Sequence, residues 1–465
     1  MAMLGVQSLG IVAVVASLLL QPRLVLACED GKDCMSCQAM DDPASYLEGS
    51  MKMAAKLTAG RDHWLFRSEV DFSDQFGMDS AMEGEFARLV DAFAGQGTQL
   101  VMVLQPTRGL MHHDKVREDK TQGFNYPLAQ ANLERFLAQL RAAGAIVPDV
   151  MTLVETPPQD DYFFRRDHHW TPAGARVTAR VVADELLKSG VVSQLDKTEY
   201  RTEEGRVIPK DGVLNLALQS LCGNRYSMQY VQGFRTVPVA TDADALFGES
   251  ATPDLALVGT SNSAVRDDEV KEYNFDGFLK EYLSLDILNF ALPGSGEYGS
   301  LLQYLYSDNY SPESAPKLLL WELPANYTLS DELMYRQLIP AIKSKGSDRP
   351  PLIERRLEGR AVEVGQRIEL LSNSGNSRIG LPPKGSYLDI QIADPALKEF
   401  YIIVYYDDGS RDKVWIRREM IVSGGQYFLE LSRAPEFRKA NLLSVFLEPT
   451  QGLAEPTDIE VRLYP

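Results

Sequence analysis

The sequence is poor in the residues that build metal centres and disulfide frameworks. Its 465 residues include only four cysteines and five histidines. A structural zinc site usually takes two closely spaced pairs of such ligands, and Cys34-Met-Ser-Cys37 has no second pair to complete it. We therefore expect no metal ion and no other cofactor. The cysteines form an even set, which suits disulfide bonding in an oxidising compartment.

The chain also lacks an excess of positive charge. Its formal net charge is -18 at pH 7, so we do not expect nucleic acid as a partner, because the protein would repel a polyanion at long range. The acidic excess lies before residue 341, since the last 125 residues carry 18 Lys and Arg against 18 Asp and Glu. An anionic substrate would need a local cluster of cations.

No apolar run near the start is long enough to span a bilayer comfortably. Residues 10–20 form a short apolar run that is followed by Val25-Leu26-Ala27, a pattern typical of a cleaved export signal. We predict a signal peptide at residues 1–27 with cleavage near Ala27. Because no Lys or Arg precedes the run, a misplaced start or an uncleaved anchor are alternatives, and Cys28 offers lipid attachment as a third.

Residues 28–342 alternate apolar runs with amphipathic segments. Apolar runs suit strands buried on both faces, and segments such as 129–143 and 173–189 suit helical crossovers between them. The pattern predicts an α/β domain with an open, doubly wound parallel sheet. Its strand-like runs lie at 100–104, 145–147, 255–258, 287–290 and 318–321.

The last part of the chain has a different pattern. The polar stretch 343–350 contains proline and glycine and predicts a linker. Beyond it, turns such as Asp408-Gly409 and Gly424-Gly425 separate short β runs, which predicts an antiparallel β-sandwich over residues 351–465. Its β runs lie at 387–392, 400–406, 413–417, 427–429 and 443–447.

The tetrapeptide Asp167-His168-His169-Trp170 precedes a well-marked helix. Thr171 can cap that helix, Pro172 suits its first turn and Gly190 can end it. A carboxylate two residues before an imidazole can lie on the same side of an extended chain, where it can orient the ring and stabilise its cation. A structural Asp cap beside a partly buried histidine is the alternative interpretation.

A serine-containing turn follows the apolar run 255–258. Open α/β sheets bind ligands outside the carboxyl ends of their strands, and the N–H groups of such a turn can stabilise an oxyanion. Ser261 is the candidate nucleophile, with Ser263 as its competitor. Together with His169 and Asp167, Ser261 predicts an acyl-transfer triad at one edge of the sheet.

Five motifs, in order along the chain, are similar to those of a known family. They are residues 60–66, Asp167-His168-His169-Trp170-Thr171-Pro172, Gly259-Thr260-Ser261, residues 289–296 and Trp321-Glu322-Leu323-Pro324. Across residues 60–325 the sequence resembles the SGNH-hydrolase-like AlgX/AlgJ family of alginate O-acetylation proteins. Export and the added β domain favour the AlgX branch.

The resemblance implies a periplasmic O-acetyltransferase that acts on mannuronate residues of alginate. Ser261 would carry the acetyl group, His169 would be the base and Asp167 would orient it. The N–H of Ser261 and a donor within residues 289–296, for which we choose Gly294, would form the oxyanion hole. The alternative functions are an acetylesterase with the same triad and a non-catalytic, polymer-binding scaffold.

The resemblance also implies a disulfide and partners. It pairs Cys222 with Cys37, whereas Cys28 and Cys34 have no counterpart. Alginate would be the polymer, the acetyl donor would be supplied through a membrane O-acyltransferase, and other alginate biosynthesis and export proteins would be partners.

Two sets of side chains are candidates for sugar binding. Tyr298 and Tyr327 follow family motifs and could line the groove, although core packing explains them equally well. The second set shares one face of a predicted strand in the β domain; it comprises Arg411, Lys413, Trp415 and Arg417. An aromatic ring flanked by cations suits a carboxylated sugar. The alternative is a solvated edge strand protected by charge.

Overall fold

The computed structural model describes residues 35–465 except 50, 122, 240–251, 266–272, 346–348, 376–377, 382–384, 419, 422–423 and 438. The predicted signal peptide, Cys28 and Cys34 lie outside the described residues. Within the described ranges, no helix combines the length and apolar character that crossing a membrane requires.

A parallel sheet forms the centre of the first domain, as the apolar runs predict. Its strand order is β3-β8-β6-β7, and nearly every residue of the three longer strands is buried, as expected for a sheet covered on both faces. Ile146 makes only a single parallel bridge to Val101, because Pro148 soon ends that run and lacks an N–H for pairing. The strands are β3 (Gln99–Gln105), β6 (Leu255–Val258), β7 (Leu288–Asn289) and β8 (Leu318–Pro324).

Both amphipathic segments are helices. The second begins after Thr171, whose hydroxyl accepts the N–H of Gly174 at 3.0 Å, and ends at Gly190 with φ +76°. The helices are α1 (Gln38–Asp41), α2 (Met51–Ala54), α3 (Ser68–Asp71), α4 (Ser80–Ala94), α5 (Arg108–Met111), α6 (Tyr126–Ala142), α7 (Met151–Glu155), α8 (Pro172–Ser189), α9 (Val213–Cys222), α10 (Phe275–Leu283), α11 (Gly299–Tyr306) and α12 (Glu332–Ser344). Helix α12 therefore continues into the segment predicted as a linker.

Two antiparallel hairpins in this domain were not predicted. β1 (Leu57–Ala59) pairs with β2 (Leu65–Arg67), and β4 (Tyr200–Lys210) pairs with β5 (Gln229–Pro238). Most of β4 is exposed or half-buried, so no apolar run marks it in the sequence. Its last residue, Lys210, nevertheless reaches the candidate site.

The C-terminal domain is an antiparallel β-sandwich, as predicted. One sheet has the order β10-β15-β12-β13 and the other β14-β11-β16-β9, and the apolar side chains between them form one core. The strands are β9 (Ile353–Arg360), β10 (Ile368–Ser372), β11 (Tyr387–Ile392), β12 (Glu399–Tyr406), β13 (Arg411–Arg417), β14 (Gln426–Glu430), β15 (Leu442–Pro449) and β16 (Thr457–Tyr464).

Helix α12 fixes the sandwich to the α/β domain. Arg336 on this helix donates to the carbonyl of Glu430 at 2.9 Å and pairs with Asp412 on β13 at 2.5 Å. Arg88 on α4 pairs with the Glu430 carboxylate at 2.7 Å. Because these ion pairs are largely buried and join α12 to β13 and α4 to β14, β13 is held in a fixed position relative to the α/β domain.

Candidate active site

Ser261, His169 and Asp167 meet at the carboxyl end of β6. Nε2 of His169 lies 2.9 Å from Oγ of Ser261, and Nδ1 of His169 lies 2.5 Å from Oδ1 of Asp167. The carboxylate is completely buried and the imidazole nearly so. This sequence of carboxylate, imidazole and hydroxyl is the arrangement that activates a serine for nucleophilic attack.

The neighbours of the two reacting residues hold them at this separation. The backbone N–H of Trp170 donates to Oδ1 of Asn262 at 3.1 Å, and the Trp170 indole N–H donates to the Asn262 carbonyl at 2.9 Å. Both side chains are buried. The loop with His169 and the turn with Ser261 are therefore joined by two hydrogen bonds besides the one between the reacting groups.

The segment that carries Asp167 and His169 is a tight loop and not the extended chain that the sequence analysis assumes. Phe163 and Trp170 form an antiparallel bridge, and the N–H of Phe164 donates to the carbonyl of His169 at 3.1 Å. The turn brings the side chains together, since Oδ1 of Asp167 also accepts the backbone N–H of His169 at 3.0 Å. Asp167 and His169 therefore lie close together, as predicted, but a turn brings them together and not an extended chain.

Asp167 is held as an anion. Its Oδ2 accepts the N–H of Val213 at the start of α9 at 2.9 Å, and Nζ of Lys210 lies 3.5 Å away. Burial alone raises the pKa of Asp167, but the hydrogen bond and charge of His169 and the charge of Lys210 outweigh it and hold that pKa well below its ordinary value. Gly212 permits this approach, because a Cβ there would lie 2.1 Å from the carbonyl of Arg166.

Arg108 fixes the same loop from within the core. Its guanidinium donates to the carbonyls of Phe164 and Asp167 at 2.7 and 2.6 Å and to the Asp71 carboxylate at 3.1 Å. Burial lowers the pKa of Arg108 to about 10, so the group remains a cation at neutral pH. No local motif marks Arg108, and the sequence analysis missed it.

Cys37 and Cys222 form a disulfide with a Cα–Cα distance of 5.7 Å. Cys222 is the last residue of α9, and the first N–H of that helix bonds to Asp167. The disulfide therefore anchors the N-terminal segment to the helix that supports the carboxylate of the triad.

A cavity of about 660 Å³ lies against Ser261 and His169. Gly294, with φ +71°, and Tyr327 both line it. The N–H of Leu292 donates to the carbonyl of Gly259 at 3.0 Å, which ties the loop with Gly294 to the serine turn. Among the described residues, no backbone carbonyl accepts the N–H of Ser261 or of Gly294.

Arg67 and His168 add to the cavity wall. Arg67 uses Nε and Nη2 on the Asp71 carboxylate at 3.2 and 3.0 Å, and its side chain is 21% exposed. Burial lowers the pKa of His168 well below its ordinary value, and the charge of His169 acts in the same direction. Arg67 therefore supplies a partly accessible cation, whereas His168 is neutral.

Two of the predicted candidates do not reach this cavity. Tyr298 precedes α11 and is not among the lining residues; its hydroxyl lies beside Asp331 and Gln337 instead. Ser263 is buried, and its Oγ donates to Glu322 at 2.9 Å. The geometry therefore favours Ser261 over Ser263 as the nucleophile.

The carboxylate and imidazoles of Asp167, His168 and His169 place ligand atoms within 4.8 Å of one another. Both ring nitrogens of His169 are already engaged, one by Asp167 and one by Ser261. The donor set therefore suits proton transfer better than coordination of a metal.

The predicted row of side chains on β13 lies on one exposed face. Val414 and Ile416 point into the sandwich core from the other face, and β13 is an edge strand. The exposed members are Arg411, Lys413, Trp415 and Arg417.

Side chains of this row also contact residues on neighbouring strands. The guanidinium of Arg417 lies 4.5 Å from the centre of the Trp415 ring, which stacks on Tyr401 of β12 at 5.8 Å. Lys413 lies over the Tyr401 ring at 3.9 Å and also pairs with Glu448 at 2.7 Å. The structure thus adds Tyr401, which the sequence analysis missed, and leaves Lys413 partly neutralised.

Comparisons with known proteins agree with this architecture. Residues 57–325 match the family model of the SGNH hydrolase-like domain of acetyltransferase AlgX, and residues 348–464 match a C-terminal carbohydrate-binding module. The alginate biosynthesis protein AlgX of Pseudomonas aeruginosa is 33% identical over 92% of this chain and 88% of its own length. The chain belongs to the AlgX family.

A solved structure of Pseudomonas aeruginosa AlgX covers both domains of this AlgX-family chain. It matches with a TM-score of 0.81 and 31% identity over 92% of this chain and 98% of that chain. The probable alginate O-acetylase AlgJ of Pseudomonas putida is 32% identical over 58% of this chain and 70% of its own length. The predicted family and fold class are therefore confirmed, and relatives in both branches are proteins of alginate biosynthesis or acetylation.

Proposed function

We propose that this AlgX-family protein is a periplasmic O-acetyltransferase that moves acetyl groups through an acetyl-serine onto hydroxyls of mannuronate residues in alginate. The observation that carries the proposal is the hydrogen-bonded chain of Asp167, His169 and Ser261 at the wall of a cavity. The family model of an acetyltransferase and the alginate biosynthesis names of the relatives support the reaction and the polymer.

In the first step the acetyl group moves to the enzyme. Nε2 of His169 takes the proton of Ser261 as Oγ attacks the acetyl carbonyl, and the N–H groups of Ser261 and Gly294 stabilise the resulting oxyanion. Asp167 stabilises the imidazolium without taking its proton. The tetrahedral intermediate then expels the donor's leaving group, which receives the proton from His169.

In the second step the acetyl group moves to the sugar. His169 accepts the proton of a mannuronate hydroxyl as that oxygen attacks the acetyl-serine, and Ser261 leaves and recovers a proton from His169. Transfer prevails over hydrolysis when the bound sugar occupies the position of water. Arg67 can meet a uronate carboxylate in the cavity, and Tyr327 offers a wall for the sugar ring.

The β13 row is the second contact with the polymer in this proposal. Trp415 and Tyr401 supply aromatic surface, and the flanking cations of Arg411 and Arg417 face the carboxylates of successive uronates. The match of the sandwich to a carbohydrate-binding module supports this role. A membrane O-acyltransferase would supply the acetyl group, and other alginate biosynthesis and export proteins would be partners.

The test is to incubate the protein with a chromogenic acetyl ester, with and without mannuronate oligomers, and to analyse the oligomers by mass spectrometry. The parent protein should acetylate the oligomers, Ser261→Ala should not, and Ser263→Ala should retain transfer. Release of acetate alone at saturating oligomer would indicate an acetylesterase. Transfer by Ser261→Ala at the parent rate would overturn the assignment of the nucleophile.

A further inference from the structure

A second buried carboxyl group, Glu322 on β8, lies beneath the turn that carries Ser261. Its Oε2 accepts the N–H of Thr260 at 2.9 Å and the hydroxyl of Ser263 at 2.9 Å, and the Thr260 hydroxyl lies 3.1 Å away. The side chain is completely buried. Thr260 and Ser263, which lie before and after Ser261, are thus bonded to one carboxyl group.

The other oxygen of Glu322 extends this network to the histidine loop. Oε1 accepts from Nε2 of Gln105, and Oε1 of Gln105 accepts from Nδ2 of Asn262 at 3.0 Å. Asn262 in turn accepts the N–H of Trp170, which follows His169. This relay requires the Gln105 amide to face one way, and that orientation depends on Glu322 being an acceptor.

The fit between Glu322 and the serine turn leaves no free space. A Cβ at position 259 would lie 2.6 Å from Oε2 of Glu322, so only glycine allows the carboxyl group to sit against this backbone. The motifs Gly259-Thr260-Ser261 and Trp321-Glu322-Leu323-Pro324 are therefore two halves of one structural unit.

Among the described residues, Glu322 forms no ion pair, in contrast to Asp71 and Asp167. Burial raises its pKa to about 7, against the lowering effect of the hydrogen bonds from Thr260, Ser263 and Gln105. The charge of Glu322 adds to burial in raising the pKa of Tyr162 and of Tyr327. Only hydrogen-bond donors stabilise its anion, so protonation would reverse or remove one of these bonds.

We propose that Glu322 is a positioning residue for acetyl transfer, which as an anion fixes the turn around Ser261 and keeps Oγ of Ser261 within reach of His169. It touches no reacting atom and acts through Thr260, Ser263 and the Gln105 relay. The inference rests on the proposed function of Ser261. It assigns a role to a family motif that the triad alone does not explain.

Glu322→Gln tests this role with little change of shape. One amide NH2 group must then face the N–H of Thr260 or the amide of Gln105, and each of these is a donor. We expect kcat for the acetyl ester to fall about 10- to 100-fold with KM changed less than about twofold. The rate of inactivation by a serine-directed sulfonyl fluoride should fall in parallel, because that probe needs no acceptor.

The pH profile separates positioning from general damage. In the parent protein both His169 and Glu322 must be deprotonated, so the acid limb of log kcat should approach a slope of two, whereas Glu322→Gln should show a slope of one. Glu322→Asp keeps the charge and should restore part of kcat. Asp389→Asn, which alters a buried carboxyl group in the sandwich, is the matched control and should leave kcat unchanged.

Ser263→Ala keeps the test decisive should Glu322→Gln fail to fold. It removes one donor from the Glu322 anion, so the acid limb should move to higher pH while Ser261 remains in place. Two results would overturn the role of Glu322 while leaving the proposed function intact, provided that Ser261→Ala is inactive. The first is an unchanged kcat and an unchanged acid limb in Glu322→Gln. The second is an unmoved acid limb in Ser263→Ala. An active Ser261→Ala would instead overturn the proposed function.

Discussion

The charged groups of the active site are buried and held by fixed partners, whereas those of the β13 row are exposed. In the cleft, Asp167 and Arg108 are almost completely buried and each has several fixed partners. On β13, Lys413 and Arg417 are exposed and rest against aromatic rings, and Glu448 neutralises part of the charge.

The difference follows from the cost of a charge in each place. A buried charge needs partners that also fix its orientation, whereas an exposed charge is screened and its pairs contribute little. We therefore expect a substitution of a single atom in the active site to lower kcat strongly. A substitution in the β13 row should weaken polymer binding only slightly, and added salt should weaken that binding further. The first arrangement suits a reacting centre and the second suits a sliding, repetitive polymer.

The largest effect should come from Asp167→Asn. The amide can no longer stabilise the imidazolium, and it can hold His169 in the tautomer that cannot take the serine proton. We expect kcat for the acetyl ester to fall by roughly 10³- to 10⁴-fold, with the fold retained by circular dichroism. A loss below tenfold would show that the cleft does not depend on single atoms in the way we describe.

A smaller effect should appear in the way that the free energy of unfolding depends on pH. The pKa of Glu322 is raised to about 7 in the folded protein, so the folded state binds its proton more tightly than the unfolded chain. The stability that this group gives is therefore present at low pH and is lost as pH rises through about 7. Relative to Glu322→Gln, the free energy of unfolding of the parent should fall by about 3 kcal/mol between pH 4.5 and 8.

Urea titrations at several pH values measure this difference, and Glu448→Gln is the control from beside the β13 row, where the Glu448 side chain is half-buried and paired with Lys413 and Arg367. The hydrogen bond from Lys413 holds the pKa of Glu448 below its ordinary value, so its contribution has the opposite sign and is lost as pH falls. Because Glu448 pairs with the partly exposed cations of Lys413 and Arg367, its effect should be much smaller than that of Glu322. Equal effects in the two variants would remove the distinction between cleft and row.

The smallest effect should come from Trp415→Ala. Loss of one exposed ring and its contact with Arg417 should weaken binding of mannuronate oligomers by about three- to tenfold, while turnover of the small acetyl ester stays unchanged. The affinity of Trp415→Phe should lie between those of the parent protein and Trp415→Ala, and added salt should weaken binding in all three proteins. Unchanged affinity in a calorimetric titration would identify β13 as an ordinary solvated edge strand.

The sequence predicts the parts of the molecule whose signal is local. The strands β3, β6 and β8 each contain a continuous apolar run, and α8 has its cap, its first-turn proline and its terminal glycine within one segment. Asp167, His169 and Ser261 lie in short motifs of the same kind. Alternation along β13 likewise places its exposed row correctly.

The parts that were missed depend on contacts between distant segments. Arg108 bonds to carbonyls 56 and 59 residues away, and Lys210 reaches Asp167 from an exposed hairpin that has no apolar pattern. Glu322 acquires its role from a turn 62 residues earlier in the chain. Tyr298, by contrast, follows a motif closely and yet lies beside Asp331, because motif proximity does not define direction.

The most direct test of the acetyl-serine is peptide mapping of the protein after brief exposure to an activated acetyl ester. We expect an acetyl group on Ser261 in the parent protein, absent from Ser261→Ala and discharged onto added mannuronate oligomers faster than into water. An acetyl group on Ser263, or discharge into water at the same rate with and without oligomers, would contradict an acetyltransferase built on Ser261.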